Sequence, residues 1–494
     1  MKFGIDLILT TLSKTSKQIG ILVLSVVLTR YLSKTEYGTY LHVQLIANVA
    51  IWSFMLGIPH SIYYFLPKVR EQRRLILSTL AMVLTIAALV TLAIVLSGDS
   101  LAKLLNNPDL VTLLGLTALI TFFQIPLAIF EPVLIAADRV RTFIRWDALF
   151  NVSFFLVVFI PAVLTGDVYP ILLALCWYHA VQLTVVLLVL IQTALRYDNH
   201  SNPEKEAYLV KDQLHYSFPI GLSQGIFELA RYGDKIIVSH FFNPEVLAVY
   251  ARGAMDIPLL NIINNTIDNL MMPQLIEAFK DGSANNLLKL WHDTIALTAS
   301  FMYPSFFFLV YTAPYLIPGL YGEEYRDAVL IFQIYSCGIL FRVSTYNVIV
   351  RVIGKTKMMA WVASASETAN ILGTILLVQL YGILGAPAAT VVASGVIVAG
   401  YLWGIGRDLD VKIRDIFPWR RLMHICTLAA LALLPLVLVS TMLTDDFGNW
   451  ATIGIMAPIY TVSFWVLMRF VPVLSDYQRE LLRMMLPGRL KWLV

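Results

Sequence analysis

Roughly fourteen stretches of this chain are apolar over about 20 residues or more, the length a helix needs to cross the hydrocarbon of a bilayer. In lipid every backbone N–H and C=O must be satisfied within the protein, so such stretches fold as helices packed in a bundle. The balance of residues agrees: 58% hydrophobic and 14% charged over 494 positions, where soluble domains carry about 25% charged. The expected fold class is an all-α polytopic membrane protein of about 14 transmembrane helices. No stretch is left for a fused ATPase or glycosyltransferase domain, and no loop exceeds about 20 residues. The net charge of +4 follows from basic loops on one membrane face and needs no nucleic-acid partner.

Basic residues mark that face. With spans alternating from the N-terminus, Lys68, Arg70, Arg73, Arg74, Arg139, Arg141, Arg351, Lys355, Lys357 and the 407–421 group fall together. Lys34, Lys103 and Arg326 lie opposite. About 26 of the 36 basic residues share the first side, which predicts that both termini are cytoplasmic. The expected organisation is an N-terminal six-helix lobe over 1–195, a cytoplasmic linker over 196–212, a C-terminal six-helix lobe over 213–405, two additional transmembrane helices over 406–470, and a cytoplasmic amphipathic tail over 471–494. The first and seventh spans, 5–30 and 213–240, carry a polar face, as helices do when they expose one stripe to water inside a bundle.

A repeat at a spacing of about 210 residues underlies the two lobes. Thr-Arg-Tyr-Leu-Ser-Lys-Thr-Glu-Tyr-Gly-Thr-Tyr at 29–40 falls against Ser-His-Phe-Phe-Asn-Pro-Glu-Val-Leu-Ala-Val-Tyr at 239–250, each the outer turn between the first two helices of a lobe. The basic turns 138–141 and 354–357 correspond in the same way.

Ionisable side chains interrupt the apolar spans. In hydrocarbon each costs about 2.5 to 3.5 kcal/mol on insertion scales, so such groups face a bundle interior or a water-filled path and mark where substrates or ions travel. Lys14 and Lys17 share one helix face, and Glu228, Arg231 and Lys235 form another stripe. Arg342 adds a guanidinium on the tenth span. Two bland readings stand beside this one: Glu228 with Arg231, and Arg252 with Asp256, are spaced to neutralise one another as packing pairs, and Lys14 and Lys17 can snorkel to the interface. Asn261, Asn264, Asn265 and Asp268 recur at one helix face, where amides bond either sugar hydroxyls or neighbouring helices. Glu131, Asp234, Asp268 and Glu367 are the carboxylates available for H+ or Na+ coupling. Tyr31, Tyr37, Tyr315, Tyr321 and Tyr325 read as an interfacial aromatic belt.

Catalysis and metal binding find no support. Cys176, Cys337 and Cys426 lie in apolar spans without a CxxC partner, and the eight histidines show no metal spacing. Gly354-Lys355-Thr356 imitates the end of a phosphate loop, but Ile349 stands where the earlier glycine is required. Gly385, Ala389 and Ala393 read as a small-residue helix contact. No catalytic residue, metal or cofactor is expected.

The turn Arg30-x-Leu-Ser-x-x-Glu-Tyr-Gly38 resembles that of bacterial polysaccharide flippases of the Wzx type, in the multidrug/oligosaccharidyl-lipid/polysaccharide exporter superfamily. The segment 217–223, Asp234-Lys235 and Tyr250 are similar to the start of that family's second lobe, although His240 and Ala248 depart from its arginine and glycine. The resemblance implies two lobes in a V shape, alternating access, and export of undecaprenyl-diphosphate-linked oligosaccharides for O-antigen, capsule or exopolysaccharide assembly. It implies a lipid-linked oligosaccharide and the inner-membrane bilayer as partners, with a polysaccharide polymerase and a chain-length protein as further ones. A diphosphate headgroup needs cations in place of its hydration, so Lys14, Lys17, Arg231, Lys235 and Arg342 become the expected substrate-binding set. The alternatives are an ion-coupled drug exporter of the same superfamily and a membrane glycosyltransferase or polymerase.

Overall fold

The computed structural model describes residues 2–197, 210–280, 282–344, 346–440, 448–471 and 479, with backbone alone for 2–15 and 356. Among these residues there is no strand, and the chain separates into two compact units, Met1–Ala248 and Val249–Val494. The first holds α1 (Lys2–Tyr31), α2 (Lys34–Phe54), α3 (Ile58–Phe65), α4 (Gln72–Leu96), α5 (Gly98–Leu104), α6 (Leu110–Gln124), α7 (Phe130–Ala136), α8 (Val140–Thr165), α9 (Val168–Leu195) and α10 (Val210–Phe241). Helix α11 (Pro244–Gly253) crosses the division. The second unit holds α12 (Pro258–Ala278), α13 (Ala284–Tyr321), α14 (Ala328–Ser336), α15 (Tyr346–Val352), α16 (Thr356–Tyr381), α17 (Gly385–Leu409), α18 (Ile413–Ile416), α19 (Trp419–Leu431), α20 (Leu434–Ser440) and α21 (Asn449–Phe470).

Among the described residues, nine helical stretches are long and apolar enough to cross a membrane, and two bent pairs, α2 with α3 and α11 with α12, bring the number to eleven. One of the nine, Lys357–Leu409, comprises two helices, α16 and α17. Helices α1 and α10, of 30 and 32 residues, have the length to span. Both carry charged residues along that length. The segment 472–494 lies outside the described residues except for 479.

The first unit is organised around the turn 29–40. Ser33 caps α2 by accepting a bond from Glu36 N at 3.2 Å. Glu36 does not complete a reciprocal box; its Oε2 accepts from Val168 N at 2.8 Å and so ties the start of α9 to the start of α2. Tyr37 is fully buried. Gly38 lies inside α2 rather than in a turn: a Cβ there would sit 1.9 Å from Pro244 O, so close backbone approach demands the glycine. Lys34 pairs with Glu245 at 3.6 Å across the same approach. Two hundred and ten positions on, the chain repeats the device, for Asn243 Oδ1 accepts from Val246 N at 3.0 Å as Ser33 does from Glu36.

Helix α10 lies against α2 and α3 within this unit. Its Ser217, Gly221 and Gly225 form one stripe, and a Cβ at Gly221 would come 2.0 Å from Leu56 C. That stripe seats the break between α2 and α3, where Gly57 takes φ +68°.

In the second unit the 38-residue α13, about 57 Å long at helical rise, is the spine, and α12, α14, α19 and α21 pack on it. Trp291 is buried and donates Nε1–H to Ser344 Oγ at 2.8 Å, while Tyr346 stacks between Tyr401 and Phe417. Helices α16 and α17 are antiparallel, with Gly385 on Leu377 and Gly373 on Ala389; this is the contact the stripe Gly385, Ala389 and Ala393 predicts. Tyr321 and Tyr325, like Tyr37, are buried rather than interfacial, so the belt reading fails for these three; their rings are held in the protein interior, with Tyr321 6.2 Å from Tyr325.

Candidate functional site

The two units each carry a polar cluster among apolar helices. In the first, Gln224, Glu228, Arg231 and Lys235 follow one face of α10. Arg231 Nη1 lies 3.6 Å from Glu228 Oε1, and Lys235 Nζ lies 3.4 Å from Asp234 Oδ2. Both cations therefore have anions, as the packing reading allowed. Arg231 nonetheless stays largely exposed, and Glu228 Oε2 is buried without a hydrogen bond among the described residues. From α3, His60 Nε2 lies 2.7 Å from Gln224 Nε2. Glu131 on α7 interacts electrostatically with Tyr63 on α3. On α1, Lys17 is exposed, and the side chain of Lys14 lies outside the described residues.

In the second unit a small cleft is lined by Asp256, Asn261, Asn264, Tyr335, Ser336 and Arg342, with Met255, Leu260, Met302 and Ile339 as its apolar wall. The sequence dictates its geometry locally. Helix α11 ends at Gly253, whose Cβ would strike Ile331, and Pro258 starts α12, so residues 254–257 are non-helical and Asp256 is free of any helical register. The expected Arg252–Asp256 pair at i, i+4 is accordingly absent as a helical pair. Asp256 Oδ1 instead accepts from Arg342 Nη1 at 2.7 Å, and Arg252 lies 5.3 Å from the Tyr321 ring. Asn264 Nδ2 donates to Arg342 O at 3.1 Å, holding the backbone from which the guanidinium extends. Tyr335 also interacts with that guanidinium. Asn261 and Asn265 are exposed, and Asn265 does not line the cleft. Asp268 and Glu367 are half-buried, and Asp234 is buried.

Sequence reasoning missed Tyr335, Ser336 and the long-range partner of Arg342. It also missed a polar chain in the first unit, Gln124 to His179 at 2.8 Å and His179 to Gln182 at 2.9 Å. A histidine and a glutamine three apart on the otherwise apolar α9 were the available signal.

Helices long enough to span a membrane, two bent pairs and polar clusters among them define a multi-pass membrane fold. Among solved structures, the lipid II flippase MurJ in an inward closed conformation matches 94% of this chain and 99% of its own, with TM-score 0.68 and 16% identity. An inward-facing multidrug resistance MATE family transporter of the MOP superfamily matches 80% of this chain and 95% of its own, with TM-score 0.59 and 15% identity. The family of polysaccharide biosynthesis proteins matches residues 27–330, more than half of the sequence, and the chain belongs to that family. The capsular polysaccharide biosynthesis protein CapF of Staphylococcus aureus is 22% identical over 212 residues, 42% of this chain; the chain spans about half the length of that curated relative, 52%.

Proposed function

We propose that this protein moves undecaprenyl-diphosphate-linked oligosaccharide repeat units across the bacterial inner membrane by alternating access, with both termini cytoplasmic, to feed O-antigen, capsule or exopolysaccharide assembly. The observation that carries the reading is the cleft around Arg342. It sets a guanidinium fork, suited to phosphate oxygens, beside two carboxamides and two hydroxyls suited to sugars. In its resting arrangement the fork is occupied by Asp256, which an incoming phosphate displaces without leaving the cation bare. Arg231 and Lys235, each beside an anion of α10, offer the same exchange, with Lys14 and Lys17 as further cations. The family and the MurJ-like fold support cargo of this class. A polymerase and a chain-length protein would receive the product, and a carboxylate such as Glu131, Asp234, Asp268 or Glu367 would bind the coupling H+ or Na+.

The test is lipid extraction after deletion of the protein, with mass spectrometry of isoprenoid-linked oligosaccharides and assignment of their membrane face. Complete units accumulating on the cytoplasmic face are expected. Unchanged lipids with new sensitivity to cationic compounds would overturn the reading in favour of drug export.

A further inference from the structure

The groove between α16 and α17 has no part in the reading above. Gly404 meets Met358 and Gly400 meets Val362, which fixes the two helices side by side. Lys357, Trp361 and Ala365 succeed one another at intervals of four on α16, while Val396, Gly400, Trp403 and Arg407 form a stripe on α17; all seven line one open groove. Its chemistry changes in order along its length. Lys355, Lys357 and Arg407 stand at the mouth, Trp361 and Trp403 come next at 77% and 61% exposed, and Ala365, Val396 and Gly400 follow. The eight residues from Lys357 to Ala365 rise about 12 Å, close to the depth of one hydrocarbon leaflet. Asp408 is the carboxylate of the lining, 3.2 Å from Arg407, so three cations face one anion. Arg407 also lies 5.0 Å from the Trp403 ring, which keeps its fork at the depth of the tryptophans.

We propose that this groove binds an anionic phospholipid, with the headgroup phosphate at Lys355, Lys357 and Arg407 and an acyl chain laid past Trp361 and Trp403 against Ala365, Val396 and Gly400. Cation, then indole, then small apolar residues follows the depth profile of a leaflet, in which tryptophan sits at the headgroup boundary. A free phosphate would use the mouth and leave the tryptophans and the apolar floor without a purpose. Gly354 and Lys355, in a turn unfit for a nucleotide, gain a role as one lip of the headgroup site.

The test is native mass spectrometry of the full-length protein with phosphatidylglycerol, phosphatidylcholine, undecaprenyl diphosphate and inorganic phosphate offered separately and in competition. Wild-type protein is expected to retain phosphatidylglycerol over phosphatidylcholine. Lys355→Ala with Lys357→Ala is expected to weaken phosphatidylglycerol about 25-fold, near fivefold for each cation removed. Lys355→Arg with Lys357→Arg keeps the charge and is expected to keep the lipid. Equal retention of the two phospholipids by wild-type protein overturns the proposal whatever the variants do. Unchanged phosphatidylglycerol binding in the alanine variant also overturns it, as does displacement by inorganic phosphate alone. Preferential retention of undecaprenyl diphosphate, lost in the same variant, would assign the groove to cargo instead.

Discussion

Arg342 and Asp256 set up a competition that can be measured. Their side chains are 39% and 51% exposed and close at 2.7 Å, so solvent screens the pair and its own worth is about 0.2 to 1 kcal/mol. A phosphate taking the fork forms charge-assisted bonds worth about 1.5 to 3 kcal/mol. Asp256→Asn removes the competing anion while keeping the shape, and should tighten a fluorescent polyprenyl diphosphate by up to about 1 kcal/mol, or about fivefold. Arg342→Ala should weaken it by about 10-fold to 150-fold, from the 1.5 to 3 kcal/mol lost. Equilibrium binding in detergent reads both, and thermal unfolding of the same samples checks that Asn264 still holds the Arg342 backbone. If Asp256→Asn weakens binding as much as Arg342→Ala, the pair is a structural clamp and the competition reasoning is refuted.

Gly38→Ala drives a methyl to 1.9 Å from the Pro244 carbonyl and should cost at least about 2 kcal/mol, seen as a lower thermal unfolding midpoint. Gly20→Ala, with nothing within 4 Å, should leave the midpoint unchanged or raise it. Ser33→Ala and Asn243→Ala each remove one cap bond and should each cost about 1 kcal/mol; a tenfold difference in the two effects on the unfolding equilibrium would argue against equivalent caps. Trp291→Phe leaves Ser344 Oγ without its donor and opens space in the core, an expected loss of about 1 to 3 kcal/mol by denaturant titration.

What the sequence made legible was whatever depends on short spacing. The small-residue stripe at Gly385, Ala389 and Ala393 and the Glu228–Arg231 pair both rest on residues within a few turns of one another. Asp256 was misplaced because a helix was run through it, although Pro258 two residues on disfavours helix just before it. Its true partner lies 86 residues away, where local spacing carries no information. Tyr37, Tyr321 and Tyr325 were read by composition, which cannot tell an interfacial ring from one packed in the interior. Gly38 stood in the sequence only as the end of a turn motif, since the backbone that excludes a side chain there comes from the other copy of the repeat.

That last contact joins the two copies of the repeated turn inside the first unit. When two identical copies meet about a two-fold axis, residue i of one touches j of the other and j touches i. Here the equivalents have diverged: glycine and lysine stand at 38 and 34, and alanine and proline occupy the matching places 248 and 244. The glycine accepts the proline carbonyl, and the lysine meets a carboxylate, Glu245, whose own counterpart is Thr35. A self-complementary contact between two equal turns would be degenerate, free to pair either way round. Giving socket and cation to one turn, and plug and anion to the other, leaves this contact inside the first unit a single way to close.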